Sequence, residues 1–147
     1  MSLTMSKQER ETYLSGLHVG IISIGGPEKG PLTVPVWYGY EPGGNVWVFT
    51  GPESLKFKRI KAAMRFSLCV QTETPPYQYV SVEGPVVEIV EADIDVEMRA
   101  MAHRYYGAEG GDNYIDTYWK DAGPGASMKI SMKPETWYTA DYGERSL

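Results

Sequence analysis

Val46-Trp47-Val48-Phe49-Thr50-Gly51-Pro52-Glu53-Ser54-Leu55-Lys56-Phe57-Lys58-Arg59-Ile60-Lys61 decides how this chain is read. Val46 to Thr50 mixes β-branched and aromatic residues, the composition of a half-buried strand. A short polar turn follows, and the period then changes. Leu55, Arg59 and Ala62-Ala63 share one turn spacing, while Phe57, Ile60 and Met64 share another. This predicts a short helix over 54–63 with Glu53 or Ser54 near its N-cap. A helix start offers free amide donors and the positive end of a dipole. Thr50 and Ser54 add hydroxyls there, and Lys56 and Lys58 add charge. Lys56, Lys58, Arg59, Lys61 and Arg65 are five of the 14 basic residues of a chain whose net charge is -5. Such a local cluster on an acidic protein fits a small anion, with a cofactor phosphate the natural candidate, and argues against a nucleic-acid surface. A solvated basic helix face is the alternative reading of the same residues.

Outward from this stretch, the chain reads mostly as strands. Leu17 to Ile24, Pro31 to Tyr40, Phe66 to Gln71, Tyr77 to Val90 and Met128 to Met132 carry strand patterns. Glu41 to Asn45 is a hairpin turn, and Gly84-Pro85 marks a bulge or kink in the long strand. Lys7 to Ser15 predicts a short helix. Asp93 to Tyr106 predicts a longer one, with an apolar stripe of Ile94, Met98, Met101 and Tyr105 and a stop at Gly107. Asn113 to Trp119 predicts another, and Pro134 to Gly143 a last strand or a crossing segment. Hairpin spacing speaks against a doubly wound parallel sheet. The expected fold is mainly β, a small antiparallel barrel with peripheral helices.

With 147 residues, the expectation is one domain over 1–147, with a polar tail at 1–11. No apolar run reaches the roughly 20 residues needed to span a bilayer, and Met1 to Glu11 lacks a signal-peptide pattern. Met5 offers a second candidate start, with Met1 to Thr4 ahead of it. The single cysteine, Cys69, sits in an apolar strand and excludes an internal disulfide framework. Together these features predict a cytoplasmic protein with no membrane partner.

No metal-ligand spacing, nucleophile elbow or Walker loop is present. His18 reads as a core or edge residue and His103 as a surface or interface residue. Glu91, Asp93, Asp95 and Glu97 read as charge at a helix start, not as a metal site. Difficult chemistry would therefore be carried by a cofactor.

Phe49-Thr50-x-x-Glu53-Ser54-x-Lys56-x-Lys58, then Arg65-x-Ser67-Leu68, then Tyr79-Val80-Ser81-Val82-Glu83-Gly84-x-Val86, resembles the pyridoxamine 5'-phosphate oxidase-like split-barrel family. The match covers roughly residues 10 to 90, with a weaker echo at Lys129 to Gly143. The resemblance implies a six-stranded split β-barrel that dimerises with its cofactor at the interface. It implies that Thr50, Ser54, Lys56 and Lys58 hold the cofactor phosphate, that Pro35, Val36 and Trp37 lie against the ring, and that Gln71 and Tyr77 to Tyr79 approach the ring or the partner subunit. Trp37, Tyr38, Tyr79, Trp137 and Tyr138 become candidates for an aromatic wall. The chain departs from the vitamin B6 oxidases: Leu55 stands where they have Arg, and the tail lacks their Arg-x-His substrate element. The short form and Thr136-Trp137-Tyr138 look more like the branch that binds the deazaflavin coenzyme F420. The expected function is an oxidoreductase that uses reduced F420 on a small unsaturated substrate. The alternatives are an FMN-dependent oxidoreductase or a non-enzymatic flavin, F420 or haem binder. No catalytic residue is singled out.

Overall fold

A computed structural model describes residues 2–143. Helix α1 (Lys7–Ser15) starts at Ser6, whose hydroxyl accepts from the Glu9 amide while the Glu9 carboxylate accepts from the Ser6 amide. This reciprocal cap fixes the chain at a point where composition alone reads as a tail. Met5, one residue earlier, is buried in the core and donates its amide to Thr139 Oγ1 at 2.9 Å.

Strands β1 (Gly20–Gly26), β2 (Lys29–Val36), β3 (Gly39–Tyr40), β4 (Val46–Thr50), β5 (Arg65–Thr72), β6 (Gln78–Glu91), β7 (Met128–Met132) and β8 (Thr136–Asp141) follow, with helix α2 (Leu55–Ala63) after β4. Among the described residues these make an eight-stranded antiparallel sheet ordered β2-β1-β5-β6-β7-β4-β3, with β8 pairing β6. The class is the expected split β-barrel with peripheral helices. The strand number is eight, not six, because the two-residue β3 and the tail strand β8 add to the set.

Strand β6 is shared by two half-sheets. Gln78 to Pro85 pairs with β5, Gln78 to Glu83 also pairs with β8, and Val86 to Glu91 pairs with β7. The register shifts between Val86 and Glu88, just beyond the Gly84-Pro85 kink expected from sequence. Gly84 is needed for another reason: a Cβ there would run into the backbone carbonyl of Lys133.

The predicted strand Pro31 to Tyr40 divides at Trp37-Tyr38. It must, because β2 belongs to one half-sheet and β3 to the other. Tyr38 anchors the crossing, with its hydroxyl donating to the Leu14 carbonyl at 2.6 Å and its ring fully buried. Burial raises the pKa of this phenol. The strand expected over 17–24 begins at Gly20, because Leu17 to Val19 form the approach from α1.

Two apolar clusters result. The larger fills the barrel with Ile22, Ile24, Val48, Ile60, Leu68, Val80, Val82 and Ile130 among its members. Period 2 along β4 turns Val46, Val48 and Thr50 inward and Trp47 and Phe49 outward. The smaller cluster lies on that outer side, where Met98, Ala102 and Ile115 pack with Trp37, Phe49, Tyr114 and Trp119. The first helix of this side lies where expected but opens differently. A π-helical turn, Ile94–Met98, precedes α3 (Arg99–Tyr118), with the Met98 amide reaching the Asp93 carbonyl. Gly107, at φ 82° and ψ 173°, is non-helical and stops the first helix as the sequence predicts; the second begins directly after it, so residues 108–112, expected as a turn, are helical.

Gly84→Ala should destabilise the fold by about 1–3 kcal/mol, as overpacking against backbone does. Urea unfolding checks this, and an unchanged midpoint would contradict the close approach of β6 to Lys133.

Candidate functional site

A cleft of about 420 Å³ lies between the ends of β2 and β4 and the inner side of α3. Pro35, Val36, Trp37, Thr50 and Lys56, all expected at a binding site, line it. It is within the usual range of small-molecule sites and is lined mostly by apolar groups with a few polar ones.

The apolar part is built around Trp37. Its indole stacks on Tyr105 with centroids 4.9 Å apart and planes 4° from parallel, and it meets Tyr106 and Tyr114 at 5.2 and 5.3 Å. The Tyr105 hydroxyl donates to the His18 carbonyl at 2.6 Å, which fixes the stacking partner in turn. Phe49, Met98, Met101, Tyr114 and Trp119 complete this side. The Trp119 indole donates to the Tyr114 hydroxyl at 3.3 Å.

The polar part is the turn from β4 into α2. Ser54 is the N-cap, accepting the Phe57 amide at 3.1 Å. The same hydroxyl donates to the Gly51 carbonyl at 2.9 Å and lies 2.9 Å from Thr50 Oγ1. A hydroxyl has one proton, so with Ser54's on Gly51, Thr50 is the donor to Ser54. Ser54 is thus saturated by its own chain and holds Thr50 and the helix start in place. Lys56 turns into the cleft. Burial lowers its pKa, and no carboxylate pairs with it among the described residues. Ser127, just before β7, lines the same end and is 1% exposed.

Several expected residues lie elsewhere. Lys58 is exposed on the far side of α2, because two positions along a helix rotate the side chain by about 200°. Gln71 and Tyr79 form a cross-strand pair on the outer face of β5 and β6, opposite the buried Val70 and Val80. They are outside this cleft. Of the expected wall, Tyr38 is in the barrel core, Trp137 packs on that core beneath Arg10, and Tyr138 is exposed on β8. The other basic residues are engaged or turned away: Arg65 binds Glu83 and Glu135, and Lys61 lies over the Phe57 ring. Arg59 packs against Gly26. The sequence reading missed Phe49, Tyr114, Trp119 and Ser127 as lining residues. Only the apolar stripe carrying Met98 and Met101 signalled that α3 would pack here.

The charge cluster at 91–97 serves local structure. Asp93 caps Val96, and Glu97 binds Lys129 at 2.8 Å, which lowers the Glu97 pKa. Asp95, Asp112 and Asp116 surround Arg99. His103 bonds Asp112 at 2.7 Å, tying the two halves of α3 across the Gly107 kink. His18 bonds the Tyr13 carbonyl, and burial lowers its pKa. A second depression of about 590 Å³ beside this cluster is lined by Glu91, Asp93, Asp95 and Asp116 together with Arg99 and Lys120, so carboxylates outnumber cations there. Among the described residues, no group of three His, Cys, Asp or Glu is placed to hold a metal ion, and no helix is long and apolar enough to cross a membrane.

Comparisons with known proteins agree with this architecture. Among solved structures, an F420 reductase superposes with a TM-score of 0.71 at 20% identity, over 87% of this chain and 94% of that one. A conserved hypothetical protein of Mycobacterium tuberculosis gives 0.77 at 20% identity, over 99% and 91%. An FAD-binding protein of Mesorhizobium loti gives 0.57 at 18% identity, over 92% of each chain. At these identities the likeness is one of fold. No curated protein matches the sequence significantly. The family described as pyridoxamine 5'-phosphate oxidase matches residues 6–140, nearly the whole chain, and to that family this protein belongs.

Proposed function

We propose that this protein is an oxidoreductase that uses reduced coenzyme F420 as hydride donor to a small unsaturated organic substrate, acting as a homodimer. The carrying observation is the division of one cleft into an aromatic wall at Trp37 and an anion niche at Lys56. A planar ring with a phosphate-bearing tail matches that division. Lys56 Nζ and the α2 N-terminus, held in place by Thr50 and Ser54, would hold the phosphate. Trp37 and Phe49 would exclude water from one side of the ring, and the stack on Tyr105 keeps Trp37 from rotating away. Met98 and Met101, unbranched and adaptable, would shape the substrate side. When bound, reduced F420 supplies a low-potential hydride from ring carbon five. The preference for F420 over FMN rests on Leu55, where the vitamin B6 oxidases have Arg, and on the resemblance of Lys56-x-Lys58 and Thr136-Trp137-Tyr138 to the F420-binding branch; the fold shared with an F420 reductase supports it. FMN is the second reading, because its phosphate and ring suit the same niche and wall.

The proposed dimer surface is the outer face of the first half-sheet. Pro35, Ile21, Cys69, Ser81 and Tyr138 stand in register across β2, β1, β5, β6 and β8. Ile21 is 36% and Tyr138 60% exposed, and Pro35 is also a lining residue of the cleft. A second copy docked on this row would complete the open side of the cleft and bring Gln71 and Tyr79 toward it.

Fluorescence titration with F420 and FMN tests the cofactor. Tight F420 and weak FMN binding is expected; the reverse would move the protein to the flavin reading, and binding of neither would defeat both.

Lys56→Met should weaken binding at pH 7 by about 1.5–3 kcal/mol, the range for hydrogen bonds to a charged group. A bound anion raises the depressed pKa of Lys56. Binding is therefore strongest below that pKa and weakens as pH rises through it toward the ordinary 10.5. The variant should lose this alkaline dependence, and an unchanged pH profile would contradict the phosphate role.

Ile21→Arg should convert the dimer to monomer in sedimentation and lower cofactor affinity together. A monomeric wild-type protein that binds cofactor fully would refute the shared cleft.

A further inference from the structure

Ser127 presents a buried hydroxyl with nothing to bond. It is 1% exposed, and its Oγ has no hydrogen-bond partner among the described residues. Buried hydroxyls are normally satisfied, because leaving one unmade costs free energy in every folded molecule. The position itself is held firmly: the Ser127 carbonyl accepts the Ala92 amide at 2.9 Å, and Met128, the next residue, pairs with Thr50 in the β4–β7 ladder. That register sets Ser127 across from the β4–α2 turn, on the wall shared with Thr50, Gly51 and Lys56.

The hydroxyls that the sequence pattern points to are less available. Ser54 is saturated by Phe57, Gly51 and Thr50, and Thr50 spends its proton on Ser54. Among the described residues, the free side-chain donors at this end of the cleft are therefore the Lys56 ammonium and the Ser127 hydroxyl. The first supplies charge and the second a directed neutral donor, the pair a phosphate ester oxygen accepts well.

We propose that Ser127 Oγ donates directly to the phosphate of the bound cofactor beside Lys56, and that Ser54 is a positioning residue that holds Thr50 and the α2 start. This rests on the reading of the cleft as a phosphate-bearing cofactor site.

The test compares wild type with Ser127→Ala, using two ligand pairs: F420 against its phosphate-free ribityl deazaflavin, and FMN against riboflavin. For the pair that wild type binds, the variant should lose about tenfold in affinity for the phosphate-bearing member, the size of one hydrogen bond to a charged group. The phosphate-free member should bind variant and wild type alike. Without ligand, the variant should melt no lower than wild type, since it sheds an unsatisfied hydroxyl. Equal losses for both members, no loss for either, or a lower ligand-free melting temperature would overturn the role of Ser127 while leaving the cofactor reading intact. Wild type that binds neither F420 nor FMN would overturn both.

Discussion

Strand β6 runs for 14 residues and hydrogen-bonds to three other strands, and everything that shapes the cleft hangs from it. Its first part belongs with β5 and β8, and its second with β7. The register shift after Val86 lets one strand serve two half-sheets that diverge, which leaves a seam between them. The chain also crosses that seam at Trp37-Tyr38, and the cleft opens beside this crossing. Tyr38 turns into the core and secures the link, leaving Trp37 facing the cavity against α3.

The seam also explains why the site combines aromatic and anionic recognition. On the β4 side, the strand ends at Thr50 and helix α2 begins at Leu55, so backbone donors collect there with Lys56. On the α3 side, the chain between β6 and β7 carries tyrosines and a tryptophan back onto the outer face of Phe49. An acidic protein with net charge -5 would repel anionic ligands over most of its surface. Lys56 is half-buried and has no carboxylate partner among the described residues. That arrangement is what the proposed anion site rests on.

Much of the fold was legible because local rules and tertiary structure agree. The limits of β4 and β7 are as the sequence pattern predicts, α1 falls where expected, and Ser54 caps α2 as its residue type implies. The failures share a cause: partners remote in sequence. Nothing local in Pro31 to Tyr40 says that its two ends belong to different half-sheets. Gly107 does interrupt the helix as it reads, but residues 108–112, which read as a turn, are helical, held by the His103–Asp112 bond and the packing of Ile115 with Ala102. At the site, Thr50 and Lys56 were legible because the strand–turn–helix unit is local. Lys58 falls outside the cleft because a residue-type pattern ignores helical phase. Ser127 was invisible, since a serine in a Gly-rich loop gains meaning only once the β4–β7 register brings it opposite Thr50.

An experimental structure of the protein with F420 bound tests the central claim most directly. The account predicts the tail phosphate at the β4–α2 turn beside Thr50, Lys56 and Ser127, with the ring lying along Trp37 and Phe49. A cofactor found in the acidic depression between Glu91 and Asp116, or with its phosphate remote from Lys56, would contradict it.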